Sequence, residues 1–548
     1  MGPHPLIEHF LVRLGVRRIL DKHIHSNRTG TLSHGEAIAF LVHNILTSRD
    51  PLYRLPDWAQ AIDPGALGLT PEQKMAINDD RIGRALEQLA EYGGRGVFFQ
   101  LALRSIKLFR LDTSRVHHDT TSITFSGDYR SSQKSPRITR GHNKDHRPDL
   151  KQLVFGLNVT ADGAVPLSHG VYSGNQTDDT LHGDNIRGLR DLLERDDFIY
   201  VADCKLCTKK NLQVFQESGG YFVTILPRTR KEDAEFRETL RRKSARWRTI
   251  LTSEDPKHRG QVHRYETCPG RYVTEDGFRL IWIRSSSKSD HDRDSRLKKL
   301  AKAMETLNHL KERINQRKLK TQKQIQGEVR TILRKLGCEE FLRVTLIPKR
   351  ITTYKRLRPG RPAPGDPKKT VTKTEYSIEI QACKVRLRQE QNTDGVFPVV
   401  TNLPRRTHKR VDVLQIYKYQ PHIERRFQNL KTEYALPPAY LKKPERVVGL
   451  VHAHFLALMV AALIEREIRN NMRANGLEAL PLYPEERDCK APTSPRIFEL
   501  FNRVDWYRHV GRKEKALYPV RLTDLQLEVL RLLGVPKTSY ESSMAQAD

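Results

Sequence analysis

Acidic residues are in short supply in this chain. Asp and Glu number 65 against 96 Lys and Arg in 548 residues, a formal net charge of +31 with a pI near 9.9. Cysteine is scarcer: six residues provide no disulfide framework, which fits a reducing, cytoplasmic compartment. The opening "MGPHPLIEHFLVRLG" lacks the layout of a secretory signal. Long uninterrupted apolar runs are lacking too. Only Val447 to Ile464 approaches spanning length; it carries His452 and His454 and runs into "EREIRNN", so a buried core helix is expected and no membrane. No repeat of fixed period is found.

What the chain has in excess is positive charge. A surplus of Lys and Arg binds phosphates by releasing their counterions, so the expected partner is a polyanion. A nucleic acid is favoured over a membrane surface, because the basic residues are spread along the chain and not gathered beside a lipid anchor. Hydrophobic residues make up 37%, enough for packed cores, and the length suits two to four domains.

Residues 1–112 read as a helical domain for DNA binding or dimerisation. Ser33 and Glu36 form a capping-box pattern ahead of an apolar helix, and Ile82, Ala85, Leu86 and Leu89 fall on one helical face. Residues 113–228 read as α/β. A strand carries Asp119, a hairpin turns at Asp162-Gly163, and an amphipathic helix runs through Ile186, Leu189 and Leu193. A buried strand ending at Asp203, a helix near 208–218 and the strand "YFVTILP" follow. Residues 229–395 form a separate Arg- and Lys-rich unit. Its Leu297, Leu300, Met304 and Leu307 resemble a short coiled-coil seam, and its "LRPGRPAPGDPKK" is an extended loop. Residues 396–470 return to a strand, "GVFPVVTN", and two helices; residues 471–548 are helical and end in a polar tail, "KTSYESSMAQAD", expected to be disordered.

The run "RVHHDTTSITFSGDY", residues 115–129, sets Asp119 among residues that favour strands, where a carboxylate is costly. Asp203 ends a later strand. Glu424 lies in "HIERRFQNLK" on a helix whose Ile423, Phe427 and Leu430 share a face, with Glu424 at its edge. A strand, hairpin, helix, strand, helix order links the first two carboxylates. This layout resembles a ribonuclease H-like core, an α/β fold here interrupted by a large mixed α/β insertion and flanked by helical N-terminal and C-terminal domains. Hard ions such as Mg²⁺ take oxygen ligands. Two of them about 4 Å apart activate a water and stabilise the leaving oxygen in phosphodiester cleavage. Metal would neutralise Asp119 and so explain it. A structural hydrogen bond or salt bridge is the alternative for each carboxylate, and the ordered match of all three disfavours it.

Tyr417, Gln420, Glu424 and Lys431 in "YKYQPHIERRFQNLK" keep the spacing Tyr, two residues, Arg, three residues, Glu, six residues, Lys. With "HDTTSITFSGDY", "GHNKDHRPDLKQL", "LYRLPDWA", "NDDRIGRALEQL", "DGVFPVVTN" and "VHAHFLALMVAALIE", these residues give the chain a family. It resembles the DDE transposases of bacterial insertion sequences, in the group with a Tyr-Arg-Glu-Lys signature, over about residues 5–470. Gln420 stands where the signature has Arg, and "DCKLC" after Asp203 lacks the Gly often found there. Neither departure removes a metal ligand.

The resemblance implies a nucleoid-associated enzyme that acts as a homodimer on double-stranded DNA, at element ends and target. Asp119, Asp203 and Glu424 would hold two Mg²⁺ ions, with Mn²⁺ as a substitute. Activated water would free 3′-hydroxyls, which then join target DNA; in better-known relatives a hairpin intervenes, and the insertion domain holds a flipped base. Tyr417, Lys431 and the altered Gln420 would contact phosphate near the cut. Lys144, Arg147 and Lys151 in "GHNKDHRPDLKQL" are further phosphate candidates, against a solvated basic loop or a His-Asn-His nuclease site whose supporting pattern is missing. Trp247 in "KSARWRTI" is the stacking candidate for an extruded base, whereas Trp282 reads as core. His117 and His118 adjoin Asp119 and could be ligands, but at most one of them shares its strand face, and Cys204 and Cys207 lack the second ligand pair of structural zinc. Two rivals are a metal-dependent structure-selective nuclease on the same core, which cleaves without joining, and a non-catalytic DNA-binding derivative, which an intact triad argues against.

Overall fold

The computed structural model describes residues 1–24, 31–92, 95–129, 136–255, 260–357, 368–436, 441–505, 507–510, 515–518 and 521–540. It divides into two compact units, one of Met1–Thr224, Thr401–Leu403 and Val413–Asp548, the other of Ile225–Val400 and Pro404–Asp412.

The first unit opens with helices, among them His4–Leu14, Val16–His23, His34–Thr47, Asp79–Tyr92 and Arg95–Phe109. The expected capping box forms: Glu36 N donates to Ser33 Oγ at 3.0 Å and Ser33 N to Glu36 Oε2 at 2.6 Å. Ile82, Ala85, Leu86 and Leu89 are all buried. They pack against Pro444–Ala474, the long apolar helix, which has the length and composition of a membrane span yet lies inside the protein. A Cβ on Gly449 of that helix would come within 2.0 Å of the Leu86 carbonyl, so only glycine lets the two helices approach this closely.

Five strands follow: β1 (Arg115–Phe125), β2 (Lys151–Thr160), β3 (Pro166–Ser173), β4 (Ile199–Val201) and β5 (Tyr221–Ile225). They lie in the order β3-β2-β1-β4-β5. The first three are antiparallel, while β4 pairs parallel with both β1 and β5. The hairpin turns at Asp162-Gly163, with Gly163 at φ +83°. Helix His182–Leu193 buries Ile186, Leu189 and Leu192, so its apolar stripe ends at Leu192 and not at Leu193. Strand β4 stops two residues short of Asp203, earlier than the apolar run suggested, because Asp203 caps the following turn: its Oδ1 accepts from Lys205 N at 3.0 Å.

The second unit carries β6 (Arg248–Glu254), β7 (Val262–Thr267), β8 (Tyr272–Val273) and β9 (Arg279–Ser285), all paired antiparallel, and a long ribbon of β10 (Leu342–Arg356) against β11 (Lys368–Ala382). Residues 358–367 of the Pro/Gly loop lie outside the described residues. The coiled-coil seam is corrected. Leu300 and Leu307 are buried, but Leu297 and Met304 are 56% and 44% exposed. The inner face of helix Ser286–Arg313 is Leu300, Ala303, Leu307 and Leu310, and it packs on Ile325, Val329 and Leu333 of helix Gln322–Leu336.

Strand β12 (Val396–Thr401) leads back to the first unit, where Thr401 Oγ1 donates to the Phe222 carbonyl at 2.6 Å and Asn402 Oδ1 accepts from Phe222 N at 2.9 Å. Among the described residues three α-helices, not two, then complete this segment: Arg410–Tyr417, Pro421–Gln428 and Pro444–Ala474. Pro421 starts the second, a position where its missing N–H costs nothing. Helices Ser494–Phe501 and Asp524–Leu533 pack on the long helix. The last eight residues of the polar tail, 541–548, lie outside the described residues.

Candidate active site

Strands β1 and β4 are parallel neighbours, with His117 opposite Val201. Asp119 and Asp203 each follow that pair by two residues, so the two carboxylates leave the sheet side by side. Asp119 is 21% exposed. Burial pushes its carboxyl up to about 7, the negative charges of Asp203 and Asp178 add to that, and Lys144 opposes it. Burial raises Asp203 as well.

Asp178, which the sequence did not single out, is a third acid in this cluster. It sits in the turn Asp178–Thr180 and accepts from Thr120 Oγ1 at 2.7 Å. Lys144 Nζ lies 3.0 Å from Asp178 Oδ2 and 3.8 Å from Asp119 Oδ1, and donates to the Thr120 carbonyl at 2.7 Å. Burial would raise Asp178, but Lys144 and Thr120 outweigh it and hold the carboxyl below its usual range. One ammonium thus partly balances the acids.

Glu424 comes from helix Pro421–Gln428, which packs against β1. It is exposed, while Ile423, Phe427 and Leu430 are buried as expected. Tyr417 links the three predicted acids electrostatically. Burial raises its hydroxyl well above the usual range, and the charges of Asp203, Cys204, Asp119 and Glu424 raise it further. The phenol therefore lies in the field of all three and stays protonated. Among the described residues no three His, Cys, Asp or Glu side chains are already grouped around one ion position. The donor set is nevertheless all hard oxygen, and the raised Asp119 marks negative charge that a divalent cation would relieve.

Residues 111–460 match the transposase DDE domain family, and residues 3–103 match a domain of unknown function, DUF4277. The chain belongs to the transposase DDE domain family. Such transposases are DNA-cleaving enzymes that use divalent metal ions. No curated protein matches the sequence. Among solved structures, a piggyBac transposase in a synaptic complex with hairpin DNA shares 10% identity. The match covers 50% of this chain and 60% of that one, at a TM-score of 0.29, a likeness too weak to bear on mechanism.

The transposase places its other predicted residues unevenly. Gln420 is a correction. In place of a phosphate contact, its side chain is buried, Oε1 lies 2.9 Å from His117 Nδ1, and Nε2 donates to the His118 carbonyl at 3.0 Å. An amide with both ends engaged inside the protein does not reach DNA. His118 Nδ1 lies 3.0 Å from Asn158 Oδ1, so both histidines are packing residues. Lys431 Nζ donates to Asp145 at 2.7 and 2.9 Å, across from the basic loop. Arg147 pairs with Asp149 at 2.7 Å, and Lys151 Nζ donates to the Tyr129 carbonyl at 3.1 Å. In the second unit Trp282 is core and stacks on Phe236 at 3.8 Å, as expected. Trp247 is half-buried, with the Arg284 guanidinium over its ring at 4.7 Å. Cys204 and Cys207 are in no disulfide.

The sequence reading missed what fixes the Glu424 helix. Arg426, two residues on, is buried and pairs with Glu465 of the long helix at 2.9 Å. It also donates to the Gly163 and Ala164 carbonyls at the hairpin tip, at 2.9 and 3.0 Å. Glu465 accepts from Ser494 N at 2.9 Å. The signal was faint: an Arg on the apolar side of one helix and a Glu at the end of an apolar run.

Proposed function

We propose that this transposase binds the terminal repeats of an insertion sequence, cleaves to free 3′-hydroxyls, and joins them to target DNA. It would do so as a homodimer on double-stranded DNA in the cytoplasm, as a member of the Tyr-Arg-Glu-Lys group. The observation that carries this is that Asp119 and Asp203 each lie two residues beyond the registered pair His117 and Val201 of neighbouring parallel strands, with Asp119 raised to about 7. The strand order β3-β2-β1-β4-β5 supports a ribonuclease H-like core of residues 113–228 and 396–470. Residues 229–395 are then its insertion, residues 1–112 the DNA-binding or dimerisation domain, and residues 471–548 a helical C-terminal region.

Asp119, Asp203 and Glu424 would hold two divalent ions, Mg²⁺ or Mn²⁺. When bound, such ions supply an acidified water and charge stabilisation at the leaving oxygen. The chain's own residues do the rest. Lys144 and Thr120 keep Asp178 ionised beside Asp119. Tyr417, still protonated, offers a hydroxyl to a phosphate oxygen. Lys431, Lys144, Arg147 and Lys151 would contact phosphates of the bound DNA. Trp247 would serve the flipped base. The test is a supercoiled plasmid carrying the element, incubated with Mg²⁺. Nicking at the element ends followed by joining to a second DNA is expected; cleavage without joining would favour a nuclease, and no cleavage a DNA-binding derivative.

A further inference from the structure

The ammonium of Lys144 has no proton left over for a ligand. An ammonium has three donors. Here they go to the Thr120 carbonyl at 2.7 Å, Thr120 Oγ1 at 2.6 Å and Asp178 Oδ2 at 3.0 Å. Asp119 Oδ1 lies at 3.8 Å. Four oxygens, two of them carboxylate, therefore surround one positive charge. Oxygen cages of this kind also suit hard metal cations. The charge reaches Asp203 too, where it opposes the effect of burial.

The segment that carries Lys144 is fixed on both sides. Asn143 is buried, and its Nδ2 donates to Gln152 Oε1 on β2 at 2.7 Å. Lys144 N donates to Ser122 Oγ on β1 at 3.3 Å. The Asp145 carboxylate accepts from Lys431 Nζ at 2.7 and 2.9 Å. With its neighbours held, Lys144 changes partners by rotating its flexible stem. The side chain is 32% exposed, so its ammonium has a way out to solvent. A divalent ion and this ammonium compete for Asp119. A hard ion binds a carboxylate oxygen at about 2 Å, inside the 3.8 Å at which Nζ faces the same oxygen. Like charges that close repel strongly where water is scarce.

We propose that Lys144 is a built-in counter-cation of the acid cluster, expelled when a divalent ion binds at Asp119, and that only then is its ammonium free for a DNA phosphate. Metal loading thereby switches on one phosphate contact beside the carboxylates, and it comes at the cost of the Lys144 contacts with Asp178 and Thr120. The proposal rests on the reading of Asp119 as a metal ligand. A plain structural salt bridge would instead stay in place whatever binds.

The test uses the full chain without DNA, so that nothing depends on cleavage. Mn²⁺ binding is followed by the loss of the free ion's paramagnetic resonance signal. Lys144→Met removes the competitor and should tighten Mn²⁺ by about tenfold, the counterpart of the one pKa unit or more by which a cation at this range shifts a carboxylate. Tightening alone could come from charge at a distance, so a second readout follows the amine itself. A brief pulse of an amine-acylating reagent, read by mass spectrometry of the peptide containing Lys144, reports whether Nζ is bonded or released. Labelling of Lys144 should rise severalfold when Mg²⁺ is added to the wild type, and should not rise in Asp119→Asn. This readout needs no Lys144 variant, and decides the matter should Lys144→Met not fold. Labelling that stays level or falls with Mg²⁺ would overturn the proposal, as would a folded Lys144→Met that binds Mn²⁺ no more tightly than the wild type. Failure of the carboxylate reading looks different: neither the wild type nor Lys144→Met would then show Mn²⁺ binding that Asp119→Asn removes, and the proposal would fall with it.

Discussion

Gln420 joins the strand of the first carboxylate to the helix of the third: its amide lies 2.9 Å from His117 Nδ1 and donates at 3.0 Å to the His118 carbonyl, next to Asp119. One helical turn later comes Glu424. Burial pushes His117 down to about 4, so the ring is neutral at pH 7 and its Nδ1–H donates to the amide oxygen. The position where the resemblance called for a phosphate-binding Arg is an internal brace.

Replacing that brace should cost stability. Gln420→Leu keeps the volume but leaves the His117 ring and a buried carbonyl unpaired, a loss of about 1–3 kcal/mol. Gln420→Arg should be worse, since it brings a charge into a site whose nearest partners are a ring nitrogen and a carbonyl. Urea unfolding measures both. A Gln420→Arg variant as stable as the wild type, with faster end cleavage, would return this position to the DNA.

The Asp119 carboxyl should make stability fall with pH in the absence of metal. Its folded pKa, about 7, lies above the unfolded value near 3.8. The folded state therefore holds the extra proton between those values, and stability from this group declines as pH rises through the window. Asp119→Asn removes the decline. The variant should match the wild type near pH 4 and exceed it at pH 8 by up to about 4 kcal/mol, as each pKa unit is about 1.4 kcal/mol. Saturating Mg²⁺ should raise the wild type but not the variant. Parallel stability–pH curves for the two proteins would count against the raised Asp119.

Where periodicity and caps are local, the sequence was legible. The Ser33–Glu36 box, the buried stripe from Ile82 to Leu89, the Asp162-Gly163 turn and the core character of Trp282 all depend on near neighbours. The rest depended on residues far apart in the chain. Asp178 joins the acid cluster only because Thr120 and Lys144 fold beside it, 58 and 34 positions away by number. The role of Gln420 needed β1, about 300 residues earlier. The seam in helix Ser286–Arg313 was misread because two registers three and four apart fit the same apolar residues, and only the partner helix selects one.

Asp119→Asn, Asp203→Asn and Glu424→Gln should each abolish metal-dependent nicking and joining while sparing DNA binding. Two ions need all three carboxylates, whereas basic side chains hold the phosphates. End-cleavage gels beside mobility shifts decide it. Near-wild-type cleavage by one variant removes that residue from the site. Asp178→Asn gives a finer reading. It should weaken metal binding, because the freed Lys144 then competes for Asp119, and so raise the Mg²⁺ needed without eliminating cleavage; an unchanged Mg²⁺ requirement would make Asp178 structural only.

Arg426 and Glu465 form a buried pair, 3% and 4% exposed. Coulomb attraction from Arg426 and Arg469, with hydrogen bonds from Ser494 and Arg426, overcomes burial and keeps Glu465 ionised, below the usual carboxylate range. Removing one partner strands a buried charge, so Arg426→Met alone should cost about 3–5 kcal/mol. Arg426→Met with Glu465→Met removes both charges and should recover much of that loss, though two hairpin carbonyls remain without their donor. Stability and activity should then separate. The double variant is expected to fold but to nick poorly, because Arg426 ties the Glu424 helix to Gly163 and Ala164 and no methionine does so. Unfolding curves of the two single variants and the double variant give the coupling between the residues, and nicking at saturating Mg²⁺ gives the positioning effect. A double variant with full nicking would show that packing alone sets the Glu424 helix.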